Sequence, residues 1–323
     1  MNNNLIKTTI FILASFSLAA CSAKHITPQE KIIYLTEVIY TQEGATPDYE
    51  ISDKEIKKLS KQGILPIFKI SESDAQKLLP EYDAANAAPI GILFARGKKS
   101  YQMPADYVYS LLKAGADIYF ISYDDMQRQT EKVKGIVLPG GNFPIPVQWF
   151  VKYTRKKVHP LDKRYNAYKF LVEYAAEKEM PLLGVCGGMQ VMAGLLSGEK
   201  VKLYDDLTYV TTIDHRYIPK TETAHSIKIE EGSKLHGVLG ATEMEVNSRH
   251  SVGVAHISLL GLESVKATAI APDMVVEAVE FPGHKNFLGV QFHPEIASYN
   301  NDNSTMQKIF DSFVLDTQQT QSK

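Results

Sequence analysis

From about residue 89 the chain alternates short apolar runs with segments whose apolar residues recur every three to four positions. Residues 90–95, 117–122, 133–139 and 181–185 read as buried strands. Residues 105–115, 165–178 and 188–196 read as helices, the first with Tyr107, Leu111 and Leu112 on one face and Gly115 suited to its C-terminal cap. Strands and helices in this alternation predict an α/β fold with a mostly parallel sheet covered on both faces, and sites in such sheets lie beyond the carboxyl ends of the strands. After residue 200 the pattern is strand-rich, with strands expected at 202–210, 225–229, 243–246, 264–270, 275–281 and 287–292 and a closing helix at 305–315. Residues 21–88 are more polar and form a small N-terminal extension, a linker or appended subdomain. Within it, 31–41 and 64–70 read as strands and 53–62 as a helix opening on Ser52 or Asp53. The organisation expected is therefore 1–20 as a leader, 21–88 as the extension, 89–318 as the main domain and 319–323 as a tail.

The leader has its own signature. Lys7 precedes an apolar run, 8–20, too short to span a bilayer, and Leu18-Ala19-Ala20-Cys21 follows in order. This resembles the signal and lipobox of bacterial lipoproteins. The resemblance implies cleavage before Cys21, lipid on Cys21, and a mature protein anchored at the periplasmic face of the cell envelope, with Ser22 compatible with the outer membrane.

Composition changes the picture in two places. With 35 Lys and Arg against 37 Asp and Glu, the net charge is −2, which offers no electrostatic footprint for nucleic acid. Only two cysteines exist, Cys21 and Cys186. If Cys21 carries lipid, no disulfide can form and Cys186 is the only free thiol.

Cys186 lies in Gly184-Val185-Cys186-Gly187-Gly188, at the junction of an apolar strand and a helix. Glycines two before and two after a nucleophile suit the tight strand-to-helix turn of a nucleophile elbow. The helix N-terminus there favours negative charge and leaves N–H groups free for an oxyanion, Gly187 first among them. A second oxyanion donor is expected from Gly141, with Gly140 next, in the turn Leu138-Pro139-Gly140-Gly141. Of nine histidines, His293 has a ready orienter: in extended backbone His293 and Glu295 point the same way, so Glu295 can fix the imidazole that serves Cys186.

These motifs, over about residues 89–298, resemble class I glutamine amidotransferases, and within them the gamma-glutamyl hydrolase and gamma-glutamyl-gamma-aminobutyrate hydrolase branch. Tyr107-Val-Tyr-Ser-Leu-Leu-Lys-Ala-Gly115, His225-Ser-Ile-Lys-Ile with Gly232-Ser233-Lys-Leu235, and Val246-Asn-Ser-Arg-His250 point to that branch. The resemblance implies a flavodoxin-like three-layer fold, a Cys186, His293, Glu295 triad and an oxyanion hole at Gly141 and Gly187. It also implies a substrate pocket from Asn247, Ser248, Arg249 and His250, with Gln190 nearby.

The chain departs from the family's pattern at Gly187, after Gly141, and at Tyr165 and Asn166, which places leaving-group specificity outside the resemblance. Residues 152–164 read as a basic, solvated loop, and His215 and His225 as loop and core residues. No cofactor and no metal are expected. The partners expected are a small gamma-glutamyl compound or peptide and, through the lipid, a membrane, with a second copy of the chain left open. The function expected is cysteine-dependent hydrolysis of gamma-glutamyl amides through a thioester. The alternatives are the glutaminase component of an amidotransferase and a non-catalytic peptide-binding lipoprotein on the same fold.

Overall fold

The computed structural model describes residues 28–38, 48–96, 100–152, 154, 160–216, 222–301 and 303–321. The leader, Cys21, residues 39–41 at the end of the expected strand 31–41 and part of the basic stretch 152–164 lie outside the described residues. Among the described residues, no helix is long and apolar enough to cross a membrane.

The chain runs β1 (Gln29–Tyr34), β2 (Thr36–Val38), β3 (Asp48–Ser52), α1 (Asp53–Lys61), β4 (Ile64–Lys69) and α2 (Glu72–Leu78). It continues with β5 (Ala88–Leu93), β6 (Ala95–Arg96), β7 (Ser100–Pro104), α3 (Ala105–Lys113), β8 (Ala116–Ile121), α4 (Met126–Thr130) and β9 (Gly135–Leu138). Then come α5 (Lys163–Glu177), β10 (Leu182–Val185), α6 (Gly187–Leu196), β11 (Leu203–Tyr204), β12 (His225–Ile229), α7 (Lys234–Leu239) and β13 (Glu243–Val246). The last elements are β14 (Gly253–Ala255), β15 (Lys266–Ile270), β16 (Val275–Glu280), β17 (Phe287–Val290), α8 (Pro294–Asn301) and α9 (Ser304–Gln321).

The main sheet has the order β1-β4-β8-β5-β9-β10-β17-β16-β15-β12-β13, with β14 pairing both β11 and β16. Its centre, β8-β5-β9-β10-β17, is parallel. Beyond β17 the pairing turns antiparallel. Alternate residues of the central strands feed two apolar cores, as the period of two demands. Val137, Leu183 and Val185 join Val108, Leu111 and Phe310 on the face of α3 and α9, while Ile136, Leu138 and Leu182 join Tyr168, Leu171 and Val191 on the face of α5 and α6. The three layers expected are present.

Local signals explain several boundaries. Ser52 caps α1 in a reciprocal box with Glu55. Gly115, just past α3, takes the left-handed conformation with φ 87° that the helix stop requires. The strand expected at 202–210 is only two residues long, because Asp206 turns the chain into a 3-10 helix, its side chain accepting from Thr208 N.

Of the extension 21–88, read from sequence as a linker or appended subdomain, the strands β1 to β4 are woven into the fold. β1 and β4 form the edge of the main sheet, β1 parallel to β4 and β4 antiparallel to β8. β2 and β3 join β7 and β6 in a second, four-stranded antiparallel sheet.

Candidate active site

Three adjacent parallel strands, β9, β10 and β17, deliver their carboxyl ends to one place. Gly140 and Gly141 follow β9, Cys186 follows β10, and His293 follows β17. Cys186 joins β10 to α6 with φ 51° and ψ −110°, a conformation costly for a residue with a side chain and characteristic of functional turns. Its N–H donates to Val290 O at 2.8 Å. The glycines around it are a steric requirement: a Cβ on Gly188 would stand 2.2 Å from Leu138 O, and one on Gly184 would stand 2.9 Å from Gly188 C.

Glu295 Oε1 lies 2.6 Å from His293 Nδ1. The pairing was expected, but its backbone basis differs from the extended segment read from the sequence. β17 ends at Val290, and Pro294 is the first residue of α8, so Glu295 faces His293 from the first helical turn. Proline is well suited to that position because its missing N–H has no helical partner there anyway. Burial pushes the His293 imidazole down, but the Glu295 carboxylate and a hydrogen bond with the Cys186 side chain outweigh it and hold His293 well above the ordinary histidine range.

The Gly140-Gly141 turn resolves which of its N–H groups can face a substrate. Gly140 N donates to Tyr107 Oη at 2.9 Å, so Gly140 is removed as an oxyanion donor and Gly141 is left of the pair. Gly141 adopts φ 142°, and Arg164 fills the space where its Cβ would stand, with Nη1 2.6 Å from that point. Arg164 does not belong to a solvated loop as the basic stretch 152–164 suggested. It sits in the first turn of α5, donates from Nη2 to Gly140 O at 2.6 Å and to Tyr168 Oη at 2.9 Å, and stacks on Phe143 with its Cζ 4.9 Å from the ring centre. Tyr168 in turn donates to Pro139 O. Sequence reasoning missed Tyr107 and Arg164 as supports of this turn. An arginine at the start of a helix and a tyrosine in a helical apolar stripe carry no chemical signal by themselves.

Two cavities meet at Cys186, sharing Gly141 and Asn142. One, of about 280 Å³, is lined by Phe143, Gln190, His250, Ser251 and Val252 among others. The other, of about 450 Å³, is lined by Asp48, Asp106, Tyr107, Arg249, His293 and Glu295 among others. The expected substrate-pocket residues therefore divide. Gln190 and His250 line the first cavity and Arg249 the second. Ser248 is fully buried and donates to His215 O at 2.9 Å, so it lines neither cavity. Asn247 grips the backbone of His293 at both ends, donating from Nδ2 to His293 O and accepting His293 N at Oδ1, each at 2.8 Å.

A second cluster lies beside the first cavity. His215, His225, His250 and Glu277 are all buried, and their ligand-type atoms lie within 4.8 Å of one another. No metal site was expected, and His215 and His225 were read as ordinary loop and core residues. Burial pushes the His215 imidazole down, but the Asp273 and Glu277 carboxylates outweigh it and lift it to about 9. Burial raises Glu277, and its neighbouring histidines outweigh that and hold it at about 2.

The model of one protein family, Peptidase C26, matches residues 94–295, well over half of the chain and the whole stretch from β6 to Glu295. The chain belongs to the peptidase C26 family. This C26 member is 29% identical over 255 residues to a glutamine amidotransferase-like protein of Rickettsia prowazekii, covering 66% of this chain and 88% of that one. It is 26% identical over 198 residues to the gamma-glutamyl-gamma-aminobutyrate hydrolase of Escherichia coli O157:H7, covering 58% of this chain and 74% of that one. The crystal structure of a GMP synthase component from Thermoplasma acidophilum superposes with a TM-score of 0.50 at 15% identity, over 73% of this chain and 96% of that one, which shows a shared fold. Membership of a peptidase family, with a hydrolase among the relatives, supports a hydrolase for the C26 member described here.

Proposed function

We propose that the protein is a cysteine hydrolase of gamma-glutamyl amides, held at the cell envelope by lipid on Cys21. The observation that carries the chemistry is the convergence of Cys186 in a strained elbow with a His293 that Glu295 orients at 2.6 Å. The relatives support a glutamine-type amide as the bond attacked.

In the reaction, Cys186 Sγ adds to the delta-carbonyl as a thiolate, its proton already held by the His293 imidazolium. The oxyanion accepts from Gly187 and Gly141 N–H, preorganised donors that cost no reorganisation as charge develops. His293 returns the proton to the leaving nitrogen, the C–N bond breaks, and the amine departs, leaving a glutamyl thioester on Cys186. Water, deprotonated by His293, then adds to the thioester. Collapse breaks the C–S bond, releases glutamate and restores the thiol.

Because His293 must reach the leaving nitrogen, the leaving group occupies the cavity of Asp48, Asp106, Arg249 and Tyr107 on the histidine side. The glutamyl half then lies towards Gln190 and Ser251. A glutaminase role would require a synthase partner. The matched CTP synthase of Symbiobacterium thermophilum, 33% identical over 150 residues, is covered over only 28% of its length, so that likeness extends to a part of that enzyme alone.

The test is to incubate the full chain, purified in mild detergent, with a panel of gamma-glutamyl amides and peptides and to weigh the acyl-enzyme after acid quenching. Glutamate release with a glutamyl adduct on Cys186, both lost in Cys186→Ala, is the expected result. No glutamate from any member of the panel, with Cys186 still reduced and alkylatable, would refute the proposal.

A further inference from the structure

The cluster of His215, His225, His250 and Glu277 has a geometry that hydrogen bonding among its members does not account for. Each imidazole commits its outward nitrogen to a fixed acceptor: His215 Nε2 lies 2.9 Å from Asp273 Oδ2, His225 Nδ1 lies 3.2 Å from Ser226 O, and His250 Nδ1 lies 2.9 Å from Val252 O. In the neutral ring that a metal ligates, an acceptor on the outward nitrogen holds the proton there, so the inward nitrogen presents a lone pair. The inward atoms, His215 Nδ1, His225 Nε2 and His250 Nε2, stand 3.5, 3.7 and 3.5 Å from Glu277 Oε1. Among the described residues, none of these three nitrogens and neither Glu277 oxygen has a hydrogen-bond partner.

The three separations from Glu277 Oε1 come close to those of ligands gathered round an ion. Four atoms bonded tetrahedrally at about 2.0–2.1 Å to one metal lie about 3.3–3.4 Å from one another. We propose that His215, His225, His250 and Glu277 bind one divalent transition-metal ion, zinc by ligand set and geometry, in a closed structural site. Three imidazoles and one carboxylate are ligands that zinc accepts, and four protein ligands leave no open position for substrate or water. Asp273 behind His215 supplies the outer carboxylate that metal-binding histidines commonly hold, and with Glu277 it balances the two positive charges.

The site gives the pocket wall a rigid foundation. His215 O accepts both His250 N at 2.7 Å and Ser248 Oγ, and Val252 O accepts both His250 and Gln190 Nε2. An ion here fixes the segment 247–252, which begins with the Asn247 that grips His293 and ends against the Gln190 that lines the first cavity.

The test is elemental analysis of the full chain in mild detergent after expression with added zinc, in wild type and in Cys186→Ala, where the thiol cannot collect metal. About one zinc per chain is expected in both. Stripping with a chelator should lower Tm, and Zn²⁺ should restore it, while Co²⁺ in its place should give the visible absorption of a tetrahedral imidazole site. Asp273→Asn should weaken Zn²⁺ binding about 10- to 100-fold, and Glu277→Gln should abolish stoichiometric metal. Metal-free wild type whose Tm does not respond to excess Zn²⁺, Co²⁺ or Mn²⁺ would overturn the proposal and leave a protonated His215 as the bridge between carboxylates. Stoichiometric metal persisting with unchanged affinity in Glu277→Gln and His225→Ala would overturn it equally, by placing the ion elsewhere.

Discussion

Replacing Asn247 with alanine separates two roles for that residue. Family resemblance places it in the substrate pocket, whereas the structure gives both ends of its amide to the backbone of His293 at 2.8 Å. Alanine leaves a buried N–H and a buried C=O unpaired, each costing about 1–3 kcal/mol, so a stability loss of about 2–4 kcal/mol is expected by urea unfolding. Freed from the clamp, the start of α8 can drift. A displacement of about 1 Å in a reacting group costs roughly 10²-fold in rate, so kcat should fall by about that factor while KM holds. Steady-state kinetics on a gamma-glutamyl substrate, at a temperature where the variant is folded, reads both numbers. Asn247→Asp keeps the acceptor for His293 N but turns an oxygen toward His293 O, so it should recover at most part of the loss. A variant with intact kcat and a raised KM would refute the clamp and return Asn247 to the substrate pocket.

Other expectations follow from single contacts. Arg164→Met should lower kcat about 10²-fold by loosening the turn that presents Gly141 N–H, and Arg164→Lys should not restore it, because an ammonium lacks the planar fork and ring stacking; full rescue by lysine in the same kinetic assay would contradict this. Gly188→Ala should destabilise the fold by about 3 kcal/mol or more, since its Cβ would meet the rigid carbonyl of Leu138 at 2.2 Å; a Tm within a degree of wild type would show that the elbow is looser than described. His293 is raised in the folded state above its unfolded value of about 6.5, so its pairing stabilises fully below about pH 6.5 and is lost as pH rises through the folded pKa. The stability gap between wild type and Glu295→Gln should therefore be widest near about pH 6 and narrow at alkaline pH, and a gap that widens with pH in chemical denaturation would reverse the assignment. Cys21→Ala should abolish incorporation of an alkyne-tagged fatty acid and release the protein from the membrane fraction, and labelling that persists would remove Cys21 as the anchor.

The parts of the site legible in the sequence are those written in contiguous motifs. Cys186 among its glycines and His293 with Glu295 each lie within five residues, so local backbone preference carries the information. Even there the reason shifted, because Pro294 starts a helix where extended chain was expected. The second sheet was missed although Tyr49 and Ile51 in β3, and Tyr101 and Met103 in β7, alternate with polar residues and are buried. Their strands sit in polar, turn-rich surroundings where a five-residue alternation is weak. The His215, His225, His250 and Glu277 cluster is scattered over more than sixty positions with no ligand spacing, and only the placing of β12 and β16 on either side of β15, beside the loops that carry His215 and His250, brings it together. Arg164 likewise acquires its role from tertiary contact alone.

The entry of the chain into the main sheet at Gln29 sets a working distance. With an acyl group on Cys21, seven residues, and so eight Cα-to-Cα steps, separate Cys21 from a strand hydrogen-bonded into the main sheet, and a chain extends at most about 3.5 Å per step. The leash is therefore no longer than about 28 Å, shorter than a domain of this size is wide. A protein tethered in the proposed way could not sweep the surrounding compartment. Under the proposed lipidation, it would ride on the bilayer like a boat on a short mooring and meet only those substrate groups that diffuse or are displayed close to the membrane surface.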